Sequence, residues 1–173
     1  MAIAITLSEY LSKNNVKYEL VKHKHTAASL DSSKSAHIPS SHMSKPVVLV
    51  NKSGEHIMAI VSAGNRLSLP RLNDITGQEY NLVSEQKLGE LFPDCDRGAI
   101  PAIGEAYQMK MLVDDSLLAT EHVYIEASDH NHLIKMPHKQ YVNMLDKTPH
   151  GDISGKRIGI SRSARRYQRD WRL

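Results

Sequence analysis

The sequence contains a single cysteine, Cys95, and no apolar run near the roughly 20 residues that a membrane-spanning helix needs. One thiol excludes an internal disulfide framework and fits a reducing cytoplasm. The N-terminal residues MAIAITLSEYL lack a basic region and a small-residue cleavage site, so we expect no secretory signal. With 173 residues, 40% of them apolar, the chain suits one soluble cytoplasmic domain with a substantial core.

Motifs of the common metal and nucleotide sites are also missing. Neither H-E-x-x-H nor C-x-x-C occurs, and no Gly-Lys-Ser/Thr follows GAIPAIG as it would in a phosphate-binding loop. The ten histidines include the pairs His23 with His25 and His130 with His132, but a structural zinc site needs four ligands and Cys95 is the only thiol. We therefore expect no metal and no cofactor, and interpret the histidines as surface residues.

Cys95 is the only candidate for a thiol nucleophile. Asp94 and Asp96 flank it, and their negative charges oppose the thiolate by raising the pKa of the thiol. A lone cysteine beside an apolar helix end is also more often buried and inert than reactive. We expect Cys95 to take no part in catalysis.

Positive charge is concentrated at the C-terminus. Residues 150–173 carry seven basic and two acidic residues, a net charge of +5, whereas the whole chain carries +3. Residues 1–149 are therefore slightly acidic, at −2. We predict a domain over residues 1–149 and a basic C-terminal extension over 150–173.

Apolar periodicity predicts short helices interleaved with mostly hairpin-linked strands, and hence an α+β fold with a mixed sheet. Thr6 and Glu9 have the spacing of a capping box, Gly77 is expected to end a helix, Ser84 to cap one, and Pro137 to occupy a first turn. The predicted helices are TLSEYLSKNN, a short one within TAASLDSSKS, LPRLNDITG, EQKLGELF and PHKQYVNMLDK. The predicted strands are VKYELVKH, a hairpin of residues 47–50 and 57–63, EYNLVS, YQMKMLVDD, HVYIEAS and NHLIKM.

The stretch LFPDCDRGAIPAIG, residues 91–104, combines two prolines with two glycines. Proline restricts φ, whereas glycine permits φ > 0 and lets another molecule approach the backbone. Such a loop presents N–H groups in a defined shape that could hold a phosphate, a carboxylate or an oxyanion, but it could equally be an ordinary connector. Lys45, at the start of the apolar run KPVVLV, is by composition a solvated flank. These residues alone name no function.

Taken in order, four segments resemble the YbaK/EbsC family, which includes the editing domain inserted in bacterial prolyl-tRNA synthetases. They are YELVKHKHTA, HMSKPVVLV, LFPDCDRGAIPAIGEAYQMKMLVDDSL and IEASDHNHLIKMPHKQY, spanning residues 16–147. The resemblance implies a cytoplasmic deacylase that hydrolyses the ester of a mischarged aminoacyl-tRNA, alone or with a synthetase. It also implies an α+β fold in which a mixed, curved sheet forms an irregular barrel surrounded by short helices.

The resemblance further implies which residues act. Lys45 matches the lysine on which the activity of the family relies, and Gly98 matches the first glycine of a G-x-x-x-P loop whose backbone contacts the aminoacyl ester. His130 matches a histidine that lines the same pocket. We therefore expect Lys45 and Gly98 to be catalytic and the pocket residues to bind substrate, namely Ala99, Ile100, Pro101, Ala102, Asp129 and His130.

The sequence departs from the family pattern twice. Ala102 stands where a proline closes the loop, with Pro101 one position earlier, and Asp129 replaces a small residue beside His130. Both departures border the pocket, so they bear on the amino acid accepted more than on the reaction. They also motivate a second hypothesis, a tRNA- or protein-binding module whose editing activity has decayed, against which the retention of Lys45 and Gly98 argues.

The implied chemistry suits the residues present. Rigid backbone N–H groups stabilise an oxyanion without reorganisation, and one such donor contributes about 2.7–4 kcal/mol in acyl-transfer sites. A lysine can bind a terminal phosphate or the developing oxyanion as a point charge. The resemblance also suggests that a ribose hydroxyl of the tRNA positions the water. The basic tail, with Tyr167 and Trp171, is either an RNA-binding extension or a solvated terminus.

Overall fold

A computed structural model describes residues 3–156, and within them the protein has the predicted α+β fold. Ten strands form a five-stranded sheet in the order β5-β2-β3-β6-β9, a three-stranded sheet β1-β8-β7 and a two-stranded sheet β10-β4. The strands are β1 (Glu19–Lys22), β2 (Ser44–Asn51), β3 (His56–Ser62), β4 (Asn65–Leu67), β5 (Tyr80–Leu82), β6 (Lys110–Asp114), β7 (His122–Glu126), β8 (His132–Pro137), β9 (His150–Gly151) and β10 (Ser154–Lys156).

Six short helices surround the sheets in the described residues. They are α1 (Ile5–Lys13), α2 (Ser29–Ser35), α3 (Leu69–Thr76), α4 (Glu85–Leu91), α5 (Asp115–Leu118) and α6 (His138–Met144), with a 3-10 turn at Gly104–Tyr107. None of the helices in this part of the chain has the length and apolarity to cross a membrane.

The five-stranded sheet is mixed, as predicted, and is covered on both faces. β2 and β3 form an antiparallel hairpin, whereas β3 pairs with β6 in parallel. Along β3, Met58 and Ile60 enter the larger core cluster, and Ile57, Ala59 and Val61 enter a second cluster on the opposite face. Successive side chains of a strand point to opposite faces, so this nearly continuous apolar run is what a doubly covered strand requires.

The strands do not close into one barrel within residues 3–156. The five-stranded sheet meets the three-stranded sheet at a single bridge, Met43 with Tyr124, supported by a 2.8 Å hydrogen bond from Ser44 Oγ to the Tyr124 carbonyl. The barrel expected from the resemblance is thus replaced by separate sheets joined edge to edge. This junction sets the start of β2 beside β7.

Most predicted helix ends are confirmed, but the first is wrong. Gly77 ends α3 with φ +67°, and the Ser84 side chain caps α4 by accepting the Lys87 N–H. α1 begins after Ala4 without a side-chain cap, so Thr6 and Glu9 form no capping box. Instead, the Thr6 N–H donates to Asp94 Oδ2 at 2.9 Å, which ties the helix start to the loop before Gly98.

Residues 150–156 add two strands that the sequence pattern did not reveal. β9 extends the five-stranded sheet beside β6, and β10 pairs with β4. Between them Ile153 is fully buried, and its N–H donates to Asp114 Oδ2 at 3.1 Å. The first seven residues of the predicted extension therefore pack on the domain, while residues 157–173 lie outside the described residues.

Candidate active site

Lys45 is the second residue of β2, opposite Val61. Its side chain is half-buried, and Nζ donates a 2.7 Å hydrogen bond to the carbonyl of Asn65, the first residue of β4. Val61 belongs to the second core cluster, so the lysine side chain lies on that face of the five-stranded sheet, where β4 runs. Its ammonium group is therefore held in place by the backbone, which differs from the solvated flank that composition alone suggests.

The loop containing Gly98 turns its side chains inward. Ala99, Ile100, Pro101 and Ala102 are buried, whereas Gly98 is exposed. Gly98 has φ +84°, and a Cβ placed there would lie 3.3 Å from the Ala27 carbonyl and 3.6 Å from His130 Cε1. The four buried residues shape the loop, and glycine is favoured at the exposed position by its left-handed conformation and by the closeness of the Ala27 carbonyl.

Backbone donors remain available in this loop. The Ala99 N–H donates to the Asp96 carbonyl at 3.0 Å, while the N–H groups of Gly98 and Ile100 make no hydrogen bond within residues 3–156. Unsatisfied N–H groups beside an exposed glycine are the arrangement that binds a carboxylate or a developing oxyanion. The loop thus has the donors that the proposed chemistry needs.

His130 lies directly behind Gly98. It is 7% exposed, has φ +58°, and its Nε2 is 2.7 Å from the Arg97 carbonyl. A carbonyl only accepts, so Nε2 carries the hydrogen of this bond. The Asp96 N–H in turn donates to the Ser128 carbonyl at 3.0 Å, so two hydrogen bonds fasten the glycine loop to the turn after β7.

Asp129 stabilises its own turn. Oδ1 accepts the N–H groups of Asn131 at 3.0 Å and His132 at 2.9 Å, and Oδ2 is 2.6 Å from His132 Nδ1. Burial raises the pKa of Asp129, but the hydrogen bonds from His132 and Asn131 outweigh it and hold the pKa below its ordinary value. The Asp129 carboxylate is therefore already bound by groups of its own turn, the backbone of Asn131 and His132 and the His132 side chain.

The two His-x-His motifs meet at this site. The His25 and His130 rings lie 5.2 Å apart between centroids, and Lys22, next to His23, pairs with His132 across the sheet. In the part of the chain that the structure describes, no group of three potential ligands has the geometry to hold a metal ion. His23 and His130 are both buried, so the prediction that the histidines are surface residues is wrong for these two.

Cys95 is unsuited to nucleophilic attack, as predicted. Its Sγ lies 3.2 Å from the Tyr107 hydroxyl and 3.8 Å from Asp94 Oδ1. Burial first, and the neighbouring carboxylates of Asp94 and Asp96 next, raise the pKa of the thiol to about 12. The thiolate is scarcely populated near neutral pH.

Sequence reasoning missed one buried acid, Glu126, at the end of β7. It is 2% exposed, and its Oε1 lies 2.5 Å from Ser32 Oγ on α2. Burial raises the pKa of this carboxyl to about 7, against the opposing effects of the Ser32 hydrogen bond and of His130. The only available signal was an acid directly after the apolar strand residues of HVYIEAS, which is equally typical of a strand end.

Two cavities lie away from these residues. One of about 340 Å³ is lined by Val113, Leu118, His138, Val142, Leu145, Asp146, Thr148 and His150. Another of about 400 Å³ is lined by Asn51, Lys52, Ser53, Glu55, Gln78 and Glu79. Neither is lined by Lys45, Gly98 or His130.

The fold and the site define a class of small α+β domain. In it, a loop with an exposed glycine, Gly98, packs against a buried histidine, His130, and Lys45 is held by a hydrogen bond at the start of β2. The Aminoacyl-tRNA editing domain family matches residues 23–144, most of the chain, and the protein belongs to this family. The resemblance found in the sequence is confirmed. Comparison with curated proteins finds no match.

Solved structures share the fold at low identity. A candidate trans-editing enzyme for prolyl tRNA synthetase matches with a TM-score of 0.75 and 17% identity over 87% of this chain and 95% of that one. The hypothetical protein APE2540 matches with a TM-score of 0.75 and 18% identity over 87% of this chain and 99% of that one. A candidate signal transduction protein from Marinobacter aquaeolei VT8 matches with a TM-score of 0.73 and 18% identity over 98% of this chain and 36% of that one.

Proposed function

We propose that the protein is a trans-acting deacylase that hydrolyses the ester bond of mischarged aminoacyl-tRNA in the cytoplasm. The observation that carries the proposal is the exposed Gly98 at φ +84°, on a loop where the N–H groups of Gly98 and Ile100 make no hydrogen bond within residues 3–156 and where a Cβ would lie only 3.3 Å from the Ala27 carbonyl. An ester carbonyl at the end of a tRNA can reach such a backbone, whereas a bulky residue would block it.

The reaction follows from these groups. Water attacks the aminoacyl carbonyl, and the negative charge that develops on its oxygen is stabilised by the available N–H groups of the loop. Collapse of the tetrahedral intermediate releases the amino acid and the terminal ribose hydroxyl of the tRNA. Lys45 supplies positive charge to the oxyanion or to the terminal phosphate, and its hydrogen bond to the Asn65 carbonyl limits where the ammonium can lie.

The other proposed substrate contacts are assigned by their exposure. Ala99, Ile100, Pro101 and Ala102 are buried, so they shape the loop and contact substrate through the backbone. His130 supports the loop from behind and Asp129 stiffens the adjoining turn. The partner is the acceptor end of an aminoacyl-tRNA, with a synthetase as a further partner that supplies it.

The experiment is hydrolysis of a panel of mischarged tRNAs by the purified protein, with Lys45→Ala as the inactive comparison. We expect at least one aminoacyl-tRNA to be deacylated far faster than its spontaneous hydrolysis. A folded protein that hydrolyses none of them, yet binds tRNA, would instead support the second candidate. That candidate is a binding module with decayed activity, favoured by the occupation of Asp129 in its own turn and by Ala102 in place of the proline.

The basic extension has a proposed role in the same function. Residues 157–173, which lie outside the described residues, contain six arginines with Tyr167 and Trp171. Arginines neutralise phosphates and aromatic side chains stack on unpaired bases. Because residues 1–149 are slightly acidic, this segment would supply the attraction for a polyanion that the domain lacks.

A further inference from the structure

The buried carboxyl of Glu126 has no part in the reaction proposed above, yet its surroundings lead directly to the site. One oxygen, Oε1, contacts Ser32 Oγ, and the other, Oε2, is buried without a hydrogen-bond partner in the described residues. Burying an ionised carboxyl with an unpartnered oxygen is costly, and this cost is avoided when the carboxyl is neutral. Glu126 is the last residue of β7 and directly precedes the turn that contains Asp129 and His130.

Ser32 connects Glu126 to that turn. Its Oγ lies 2.5 Å from Glu126 Oε1, 2.8 Å from Thr26 Oγ1 and 3.2 Å from the Ala28 carbonyl. The Thr26 N–H donates to the His130 carbonyl at 3.2 Å. Two hydrogen bonds thus link the carboxyl to the Thr26 hydroxyl through Ser32, and the backbone N–H of the same threonine binds the His130 carbonyl.

The surroundings of the carboxyl favour its protonated form. Oε1 accepts the Ser32 hydroxyl at 2.5 Å, and the Ala28 carbonyl, which already accepts the N–H groups of Asp31 and Ser32, does not depend on the serine hydrogen. Oε2, by contrast, is buried without a hydrogen-bond partner in the described residues. Ionisation would place negative charge on this unpartnered oxygen, whereas a neutral carboxyl avoids that cost.

We propose that Glu126 is a positioning residue: its neutral carboxyl, bound to Ser32, holds the turn with His130 in the place that shapes the Gly98 loop. This inference rests on the proposed deacylase function. The turn needs such support because Ser128 and His130 adopt φ +99° and +58°, conformations that non-glycine residues rarely hold. The support reaches the loop through the His130 contact to Arg97 and the Asp96 contact to Ser128.

The charges around Glu126 agree with this role. His130 favours its ionisation and Asp129 opposes it, α2 contributes the Ser32 hydroxyl, and β8 places the apolar Leu133 opposite. With burial as the largest effect, the pKa of Glu126 is raised to about 7. As pH rises through this value the carboxyl ionises, negative charge develops on the buried, unpartnered Oε2, and support for the turn weakens.

The test compares Glu126→Gln, Glu126→Leu and Ser32→Ala, with Glu90→Gln on an exposed face of α4 as the control. The oxygen of a neutral amide can accept from Ser32 as the neutral acid does, so Glu126→Gln should retain activity near that of the wild type at pH 6. Loss of the link should lower kcat about 10- to 100-fold in Glu126→Leu and Ser32→Ala, with a smaller change in KM, because misplacement of the site by about 1 Å has effects of that size.

The pH profile separates positioning from a merely structural role. The ratio of wild-type to Glu126→Gln activity should fall as pH rises from 6 to 8, since only the wild type ionises at this position, and base-promoted hydrolysis cancels in the ratio. A flat ratio, a glutamine variant as impaired as the leucine variant, or a leucine variant with wild-type kcat would each overturn the proposal.

If the wild type hydrolyses no aminoacyl-tRNA, the proposed function fails. The contact from Glu126 through Ser32 to the His130 turn is then tested without substrate, by thermal unfolding and NMR. The raised pKa means that Glu126 contributes stability below about pH 4.5, which is lost as pH rises to about 7. Glu126→Gln should remove that part of the pH dependence of thermal unfolding, and Ser32→Ala should shift the NMR signals of the His130 backbone. Unchanged His130 signals in Ser32→Ala would show that no positioning link exists.

Discussion

Two regions of this protein use the same backbone conformation for different ends. The central hairpin, formed by β2 and β3, turns at Gly54 with φ +83°, and nothing lies within 4 Å of a Cβ placed there. The loop-and-turn site, residues 94–102 and 126–132, contains Gly98 with φ +84°, where a Cβ would meet the Ala27 carbonyl and the His130 ring. In the hairpin, glycine is favoured by the turn conformation alone. At Gly98 it is favoured by the conformation and, in addition, by the close approach of the Ala27 carbonyl and the His130 ring.

The regions also differ in what holds them. The hairpin is stabilised by ladder hydrogen bonds and by two apolar clusters, one on each face. The loop-and-turn site is held by isolated contacts such as Asp96 to Ser128 and His130 to Arg97. We therefore expect substitutions in the hairpin core to reduce stability, and substitutions in the site to reduce activity.

Lys45 lies at the start of the hairpin strand β2, and removal of this proposed catalytic side chain should have the largest effect. Lys45→Ala should lower kcat/KM for a mischarged tRNA by about 3–4 kcal/mol of transition-state stabilisation, comparable to loss of an oxyanion-hole donor. Loss of the hydrogen bond to Asn65 should cost only about 1 kcal/mol of unfolding free energy. The measurements are steady-state deacylation and urea unfolding.

Lys52→Ala is the matched control for Lys45. This lysine lies on the turn at the other end of the same hairpin, where it forms an exposed ion pair with Glu79. It should leave both deacylation and stability nearly unchanged, because exposed pairs contribute little. Near-wild-type deacylation by folded Lys45→Ala would refute the catalytic assignment.

The hairpin core should show the opposite response. Leu49 is fully buried in the second cluster, so Leu49→Ala should lower the free energy of unfolding by about 2–5 kcal/mol. Activity per folded molecule should stay close to that of the wild type. A deacylation defect that exceeds the loss of folded protein would show that the two regions are coupled more tightly than their contacts indicate.

The two glycines permit a direct comparison. Gly98→Val and Gly54→Val both impose φ > 0 on a β-branched residue, at a cost of about 1–3 kcal/mol each. Only Gly98→Val also crowds Ala27 and blocks the loop, so it alone should reduce deacylation of the folded protein. The variants are compared at equal folded fraction, determined from unfolding curves.

Cys95→Ser provides a second control within the loop. Because the thiol is poorly ionised, this variant should be far less impaired than Gly98→Val. If a thiol-alkylating reagent stopped turnover and Cys95→Ser did the same, the roles of loop and thiol would have to be exchanged.

The smallest expected effect concerns the C-terminal extension and appears in binding alone. The deletion should start at residue 157, because Ile153 and β10 belong to the packed domain. It should weaken tRNA binding and reduce the slope of log K against log salt by about 0.7–0.9 for each phosphate that the protein no longer neutralises. Hydrolysis of a minimal aminoacyl-ester mimic should be unaffected. Equal affinity and equal salt slope with and without the segment would remove its proposed role.

The local structure and the family could be predicted from the amino-acid sequence alone. Apolar alternation and turn residues predicted the hairpin, the Gly77 helix end and the Ser84 cap, because these features depend on neighbours within a few residues. The order of short motifs identified the editing-domain family, and the flanking aspartates and the apolar helix end predicted the raised pKa of the Cys95 thiol, of which burial is the largest cause. That Cys95 takes no part in catalysis stays a prediction. The catalytic roles of Lys45 and Gly98 stay predictions until deacylation is measured.

How these elements pack against one another became apparent from the three-dimensional structure. Thr6 finds its hydrogen-bond partner at Asp94, 88 positions away, and Ser32 contacts Glu126 across 94 positions. β9 and β10 are too short to produce a pattern, and they exist because β6 and β4 offer unpaired edges. A periodicity records which face of an element is apolar, but it carries no information about which distant element covers that face. The buried acid behind the turn could therefore not be predicted, and the proximity of Gly98 and His130 was implied by the family resemblance alone.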